Sequence, residues 1–202
     1  MKNLIALVLT NVLFNAAHGA EKQISNNQSV PTIEQATHLF EQNQYQESES
    51  ILNQLLDDKT LIETVNNSAL ILLGRIALQQ NKLDRAEDLF EQSLALSPNT
   101  ANEYYWFARM SGEQASDASI FTAMGYATDA KEGFLKAIEL DPNHLPSHIG
   151  LFHFYLSAPG IAGGSVDKAK SLITNIEKLS LNDGAQLRLK WLRDNASADE
   201  IA

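Results

Sequence analysis

Residues 70–99 read LILLGRIALQQNKLDRAEDLFEQSLALSPN and carry a regular pattern of apolar residues. The apolar and small residues of this stretch recur every three or four positions, first as Leu70, Leu73, Gly74 and Ala77, and then as Leu83, Ala86, Leu89, Phe90 and Leu94. This spacing places each set on one face of an α-helix. Asn81 and Lys82 separate the two sets, and Ser97-Pro98-Asn99 ends the second. The stretch therefore predicts a helical hairpin.

Residues 67–100 resemble the tetratricopeptide repeat, a helical hairpin of about 34 residues. The positions that match the family pattern are Leu70, Leu73, Gly74, Ala86, Phe90 and Pro98. Ala77 and Ser93 depart from the pattern, but both are small. Small residues let two helices approach closely, so Gly74 and Ala86 are expected at a tight helix contact with Phe90 filling the space beside them.

The small positions recur along the rest of the chain. They align as Ala36, Gly74, Ala108 and Gly150 in the first helices of four units, and as Ser48, Ala86, Ala130 and Ala169 in the second helices. Residues 133–142 also repeat the pattern of residues 89–98. A further helix, Asp183 to Asn195, is expected to cover the open end of the stack. The predicted fold is all-α: an α-solenoid of about four tetratricopeptide-like hairpins plus a C-terminal capping helix.

Two units are longer than the family period. The third carries about ten extra residues, covering 112–126, and the fourth about seven, around 157–165. Insertions in solenoids usually lie in loops, so both segments are predicted to be loops. The sequence does not assign either of them a role.

The first residues have the features of a secretory signal. Lys2 is followed by an apolar run at 4–14, which is too short to span a bilayer, and then by small residues around Ala17 and Gly19. We expect a signal peptide at 1–19, a flexible leader at 20–31, the repeat domain at 32–195 and a polar tail at 196–202. An uncleaved anchor or a buried first helix is the alternative. Residues 152–164 also resemble a group of exported bacterial tetratricopeptide proteins, which implies a periplasmic or secreted location.

Composition narrows the classes of partner. The chain has no cysteine, which excludes disulfides and thiolate metal sites. It has 15 Lys+Arg against 25 Asp+Glu, a net charge of −10, and its basic residues are scattered, which argues against a nucleic-acid partner. After residue 14 no apolar stretch reaches the length of a membrane helix, so no membrane span is predicted.

The sequence holds two weak candidates for chemistry. His144 and His148 are four residues apart, but Pro146 lies between them and no further ligands complete a metal site. The glycine-rich segment 159–165 lacks the pattern of a phosphate loop, and we expect a turn in which Ser165 caps the next helix. No nucleophile, base and orienting group can be assembled. We therefore predict no enzymatic activity, no metal and no cofactor.

The resemblance implies a partner-binding groove, since first helices line the concave surface of the tetratricopeptide fold. The residues that it places there are Arg75, Gln79, Tyr105, Trp106, Arg109, His148 and Tyr155. Arginines beside aromatic rings suit a peptide that carries a carboxylate. The alternative is that residues 104–107 are mostly core and that the arginines form surface ion pairs.

The predicted function is that of a non-catalytic protein–protein interaction module, an adaptor or assembly factor in the bacterial envelope. Its partner is a protein or peptide whose identity the sequence does not give. A small-ligand or enzymatic role built on the two inserted segments is the alternative from another class. Self-association through an exposed terminal helix face is also open.

Overall fold

The computed structural model describes residues 31–96 and 100–195. Within them the chain forms α-helices and no strand. The helices are α1 (Ile33–Glu41), α2 (Tyr45–Asp57), α3 (Glu63–Gln79), α4 (Leu83–Ala95), α5 (Ala101–Asp117), α6 (Ile120–Leu140), α7 (Leu145–Ser157), α8 (Val166–Leu179) and α9 (Leu181–Asn195). The signal peptide expected at 1–19, residues 20–30 of the leader, the tail at 196–202 and Ser97-Pro98-Asn99 all lie outside the described residues.

The helices pair into four hairpins: α1–α2, α3–α4, α5–α6 and α7–α8. Each helix packs against the next along the chain, and the first helices α1, α3, α5 and α7 also contact their counterparts in the neighbouring hairpins. This is the arrangement of a solenoid, in which each repeat contacts its neighbours. The prediction of an all-α solenoid of four hairpins is confirmed.

The first two hairpins turn in the same way. Asn43 and Asn81 follow the ends of α1 and α3 with φ angles of 60° and 54°, in the left-handed region that asparagine tolerates. The next residue in each turn donates its N–H back to a carbonyl five residues earlier, Gln44 to Leu39 and Lys82 to Ala77, both at 2.9 Å. These bonds satisfy carbonyls at the helix end, so a short turn reverses the chain.

The aligned small residues lie at close helix contacts. Ala36, Ala108, Ser48, Ala86, Ala130 and Ala169 are fully buried. A Cβ added to Gly74 would lie 2.5 Å from the ring of Phe90, and one added to Gly150 would meet the ring of Phe134 in the same way. The tight contact expected from the sequence at Gly74, Ala86 and Phe90 is therefore confirmed, because only a residue without a side chain leaves room for the ring.

The segment at 112–126 was wrongly expected to be a loop. It lengthens both helices of the third hairpin: α5 has 17 residues, α6 has 21, and only Ala118 and Ser119 connect them. The helical spacing of small residues continues through the segment, and the added turns pack against each other, with Gly112 facing Ala130. Because α4 has 13 residues, α6 is longer by about 12 Å at 1.5 Å per residue. The third hairpin thus projects beyond its neighbours.

The segment at 157–165 does form a loop. It contains one short 3-10 turn, Gly160–Ala162, followed by Gly163 at a φ of 96°. Ser165 then caps α8, where its hydroxyl accepts a hydrogen bond from the backbone N–H of Lys168 at 3.3 Å. The predicted turn and its capping serine are confirmed.

The last helix covers the end of the stack. Leu187 and Trp191 of α9 are buried against Phe152, Ile173 and Ile176 of the fourth hairpin. The terminal repeat would otherwise present an open apolar face, so α9 is the capping helix that the sequence predicted.

Candidate functional site

Four of the predicted groove residues meet where the first three hairpins adjoin. The guanidinium carbon of Arg75 lies 4.7 Å from the centre of the Trp106 ring, and that of Arg109 lies 5.4 Å from it. Tyr105 packs edge-on against Trp106, with ring centres 5.0 Å apart. We call Arg75, Tyr105, Trp106 and Arg109 the arginine–aromatic cluster.

Phe40 of α1 joins this cluster, and the sequence reasoning missed it. Its ring centre lies 4.6 Å from the guanidinium carbon of Arg75. Phe40 stands four residues after Ala36, the small position of the first repeat, which places it one helical turn further along the same face. This spacing of four residues from Ala36 could have identified Phe40 from the sequence. The cluster therefore draws on three consecutive repeats.

The two arginines differ in their hydrogen bonding. Arg109 donates from Nη2 to Glu113 Oε1 at 3.1 Å, an ion pair between neighbouring turns of α5. The Nε of Arg75 is buried and has no hydrogen-bond partner in residues 31–96 and 100–195. Burial lowers the pKa of Arg75 from its usual value, although a guanidinium stays protonated at neutral pH. Arg75 is therefore a half-buried cation with an unused donor.

Tyr105 and Glu41 both act to raise the pKa of Arg75, and at neutral pH the charge of Glu41 partly offsets the cost of burying the guanidinium. Arg109 acts in the opposite direction, since two like charges disfavour each other. An anion placed between the two guanidinium groups would relieve that repulsion. The cluster is thus suited to a carboxylate held beside aromatic rings.

The remaining predicted groove residues do not join the cluster. His148 is only 6% exposed, and its Nε2 donates to the carbonyl oxygen of Pro142 at 2.9 Å, so it serves the packing of α7. Tyr155 packs with the core around Phe134 and contacts Lys168, whose Nζ lies 5.4 Å from its ring centre. Gln79 is exposed on α3, one turn beyond Arg75. Of the groove residues expected from the sequence, only Arg75, Tyr105, Trp106 and Arg109 lie together, and the residues from the fourth repeat do not join them.

His144 and His148 are occupied by local contacts. The Nδ1 of His144 lies 2.7 Å from the hydroxyl of Ser147, and burial lowers the pKa of His144. No group of three or more His, Cys, Asp or Glu side chains that could hold a metal occurs in the part of the chain that the structure describes.

A second feature lies beside the cluster, between the projecting α5–α6 hairpin and α7. It is a cleft of about 870 Å³, and we call it the insertion cleft because both inserted segments line it. From the first segment it receives Gly112, Glu113, Ala115, Ser116, Ile120, Ala123 and Met124. From the second it receives Ser157, Ala158, Pro159, Ile161 and Ala162. The sequence reasoning missed this cleft because it treated the first segment as a loop, although Ala123 and Ala127 already had helical spacing.

Two segments of the chain match family models described as tetratricopeptide repeat, residues 68–100 and residues 118–144. The first covers the hairpin α3–α4, and the second covers α6 and the turn that follows it. This chain is a tetratricopeptide repeat protein. No curated protein matches it.

Solved structures of other tetratricopeptide repeat (TPR) proteins share the fold. TTC0263, a thermophilic TPR protein of Thermus thermophilus, has a TM-score of 0.62 at 16% identity over 83% of this chain and 92% of its own. YrrB, a TPR protein with an unusual peptide-binding site, has a TM-score of 0.54 at 15% identity over 88% of this chain and 84% of its own. At such identity the likeness shows the fold alone. The two matched tetratricopeptide repeats support the general class of protein-interaction modules.

None of the helices in residues 31–96 and 100–195 is long and apolar enough to cross a membrane.

Proposed function

We propose that this tetratricopeptide repeat protein is an adaptor or assembly factor of the bacterial envelope, which binds an acidic peptide segment of a partner protein. The observation that carries the proposal is Arg75, a half-buried cation between the rings of Phe40 and Trp106 with its Nε unbonded in the described residues. A carboxylate of the partner would pair with Arg75 and reach Arg109. The guanidinium group of Arg109 donates one hydrogen bond to Glu113 and retains further N–H donors.

Aromatic rings supply the rest of the contact. Tyr, Trp and Arg are the residues that most often dominate binding energy at interfaces. In this cluster the half-buried rings of Tyr105 and Trp106 flank the two cations. The side chains that adjoin the partner's acidic group would pack on them. YrrB, which shares the fold, is itself described as having an unusual peptide-binding site.

The envelope location rests on the first residues of the chain. Lys2, the apolar run at 4–14 and the small residues before Ala20 have the features of a cleavable export signal. The same proposal gives the protein no catalytic role, because binding through the arginine–aromatic cluster requires none.

The test is affinity capture from an envelope extract with purified protein as the bait. The double variant Arg75→Glu/Arg109→Glu should reduce recovery of the partner by about ten- to a hundred-fold, because reversed charges repel an acidic group. The matched control is Arg85→Glu/Lys136→Glu, which changes the net charge equally. Both control residues lie on second helices, where Arg85 pairs with the half-buried Glu49 and Lys136 with the exposed Glu139.

Circular dichroism and thermal melting of both double variants check that they fold. This check is needed because the half-buried Arg75 packs between Phe40 and Trp106, whereas surface ion pairs such as those of the control contribute little to stability. The proposal fails if the folded groove variant recovers the same partner as efficiently as the control variant.

A further inference from the structure

We infer that the insertion cleft is the second half of the partner-binding surface, and that it takes a run of large apolar side chains adjoining the acidic residue held by the arginine–aromatic cluster. This inference rests on the proposed function, because it assigns the apolar half of the same partner segment. It also assigns both inserted segments, residues 112–126 and 157–165, to one binding surface.

The cleft is an unfilled apolar space. Its floor consists of small residues on three helices: Ala108, Gly112, Ala123, Ala127, Ala130 and Gly150. No large side chain of the described residues fills its volume of about 870 Å³, which is near the upper end of the range for pockets that bind ligands. Space of this kind gains stability when apolar side chains enter it, because water leaves and dispersion contacts form.

The lining of the cleft carries little net charge. Arg109 and Glu113 pair with each other at its edge. His153 lines it from α7, and partial burial together with the charge of Lys190 lowers the pKa of His153 from its usual value near 6.5, which favours the neutral imidazole. An uncharged, apolar occupant therefore suits the interior, whereas an acidic group belongs at the Arg109 edge.

The mouth of the cleft indicates an occupant larger than a metabolite. Ile120 of the first inserted segment and Ile161 of the second both line the cleft, with 69% and 74% of their surface exposed, and Phe121, next to Ile120 in the chain, is 88% exposed. A small molecule inside the cleft would leave most of this surface in water. A polypeptide that continues past the cleft would cover more of it, and exposed apolar surface of this kind marks protein interaction sites.

The cleft and the cluster are continuous. Tyr105 and Arg109 line the cleft and also belong to the arginine–aromatic cluster. An extended chain advances by about 3.3 Å per residue, so a segment whose carboxylate lies between Arg75 and Arg109 would bring its next few residues to the cleft. One short segment can therefore occupy both.

A second copy of this chain is a poorer occupant than a different protein. Each copy carries a net charge of −10, so two copies repel each other before any apolar contact forms. The segment we infer belongs to another protein and combines an aspartate or glutamate with a neighbouring run of large apolar residues.

The absence of cysteine makes site-specific crosslinking direct, since an introduced thiol is unique in the chain. Three single variants are compared: Gln79→Cys beside Arg75 in the groove, Ser157→Cys in the cleft, and Glu91→Cys on the exposed surface of α4 as the control. Each is labelled with a benzophenone maleimide, irradiated in envelope extract, and the attached peptides are identified by mass spectrometry. All three positions are exposed, so labelling should not disturb the fold.

The expected result is that the same protein attaches at positions 79 and 157 and not at 91. The peptide attached at 157 should contain large apolar residues within a few positions of an acidic one. Adding Met124→Glu, which puts a carboxylate in the cleft, should reduce attachment at 157 at least ten-fold. Its matched control is Leu135→Glu, on the same helix with nearly the same exposure, 43% against 42%, but outside the cleft.

Three results would overturn the inference and leave the proposed function in place. In the first, position 79 attaches a partner, whereas position 157 attaches no protein, a different protein or a second copy of this chain. In the second, the peptide attached at position 157 lacks apolar residues. In the third, native mass spectrometry of the purified protein finds a small molecule that Met124→Glu releases and Leu135→Glu retains. The proposed function itself would be rejected by a different pair of results: no partner attaches at position 79, and the double variant Arg75→Glu/Arg109→Glu recovers as much partner as the unchanged protein.

Discussion

The guanidinium carbon of Arg75 on α3 lies 4.7 Å from the centre of the Trp106 ring on α5, so a cation of the second repeat rests on an aromatic ring of the third. The contact is half-buried on both sides. Cation–π contacts contribute more when they lose water, up to about 2 kcal/mol. This pair therefore holds Arg75 in place and joins two neighbouring repeats.

Replacing Trp106 with alanine should weaken partner binding by about ten-fold, because the ring that positions both arginines is lost. Trp106→Phe should keep most of the affinity, since a smaller ring still presents a π-face. Titration of each variant with the captured partner measures the difference, and urea unfolding reports the accompanying loss of stability. Equal affinities for the alanine and phenylalanine variants would contradict this role of the ring.

Arginine at a buried small position should disrupt the solenoid. Ala86 and Ala130 are fully buried, so Ala86→Arg and Ala130→Arg would each force a long charged side chain into a helix contact without a partner. We expect the cooperative melting transition to be lost or lowered by well over about 10 °C in each variant, as followed by circular dichroism.

The control for these variants is Glu91→Gln, an exposed residue of α4. Glu87 on the same helix is less suitable, because its Oε2 accepts a hydrogen bond from Gln114 at 2.8 Å. A parental melting curve for both arginine variants would show that the repeat alignment is wrong.

A buried carboxylate ties the second hairpin to the third. Glu103 is 1% exposed and accepts hydrogen bonds from the Asn67 side chain and, at 2.8 Å, from the backbone N–H of Thr100. Asn67 in turn accepts from the hydroxyl of Ser93 at 2.5 Å. Ser93, which departs from the family pattern, thus has a polar role in this chain.

Glu103→Ala should lower the free energy of unfolding by about 3 kcal/mol, because it removes a helix cap and leaves the buried amide of Asn67 without its acceptor. Ser93→Ala should cost about 1 kcal/mol, since Asn67 then loses one donor only. Urea denaturation measures both as shifts in midpoint at constant slope. Equal losses would contradict the larger share of the stabilisation that is assigned here to Glu103.

The stability of the protein should fall between pH 7 and pH 5 through His144. Burial lowers the pKa of His144 below its usual value of 6.5, so the folded state binds a proton less readily than the unfolded state. The stabilisation is complete above the unfolded pKa and is lost as the pH falls through the folded pKa. His144→Gln should therefore flatten the decrease in melting temperature between pH 7 and pH 5. Parallel curves for the variant and the parent would count against this assignment.

Export predicts a processed N-terminus. Intact mass spectrometry of the protein purified from the cells that make it should show a chain that begins at Ala20, from cleavage after Gly19, or at Glu21. Replacing the apolar run with polar residues, for example Leu7→Gln/Leu9→Gln, should retain the unprocessed chain in the cytoplasm. An intact Met1 on the mature, envelope-located protein would rule out a cleaved signal.

Residue types and their spacing predicted most of the fold. The interval between Gly74, Ala86 and Phe90 specifies a close hairpin because these contacts are local and repeat along the chain. Half of the candidate site was predictable for the same reason: Arg75 and Arg109 occupy equivalent positions in adjacent repeats. His148 is equivalent in register to Trp106, and Tyr155 to Gln79. Both are nevertheless used in packing, since the side chains around a helix position differ from repeat to repeat.

The helices, the hairpin pairing, the capping helix and the pair of arginines could be predicted from residue types, because helical periodicity and the close helix contacts at small residues depend on residues near in sequence. Three features became visible only in the folded chain: residues 112–126 extend α5 and α6, Phe40 reaches Arg75 from another repeat, and two distant insertions line one cleft. These features depend on how far one hairpin projects past the next, and that distance is set by the packing of α5, α6 and α7 against one another.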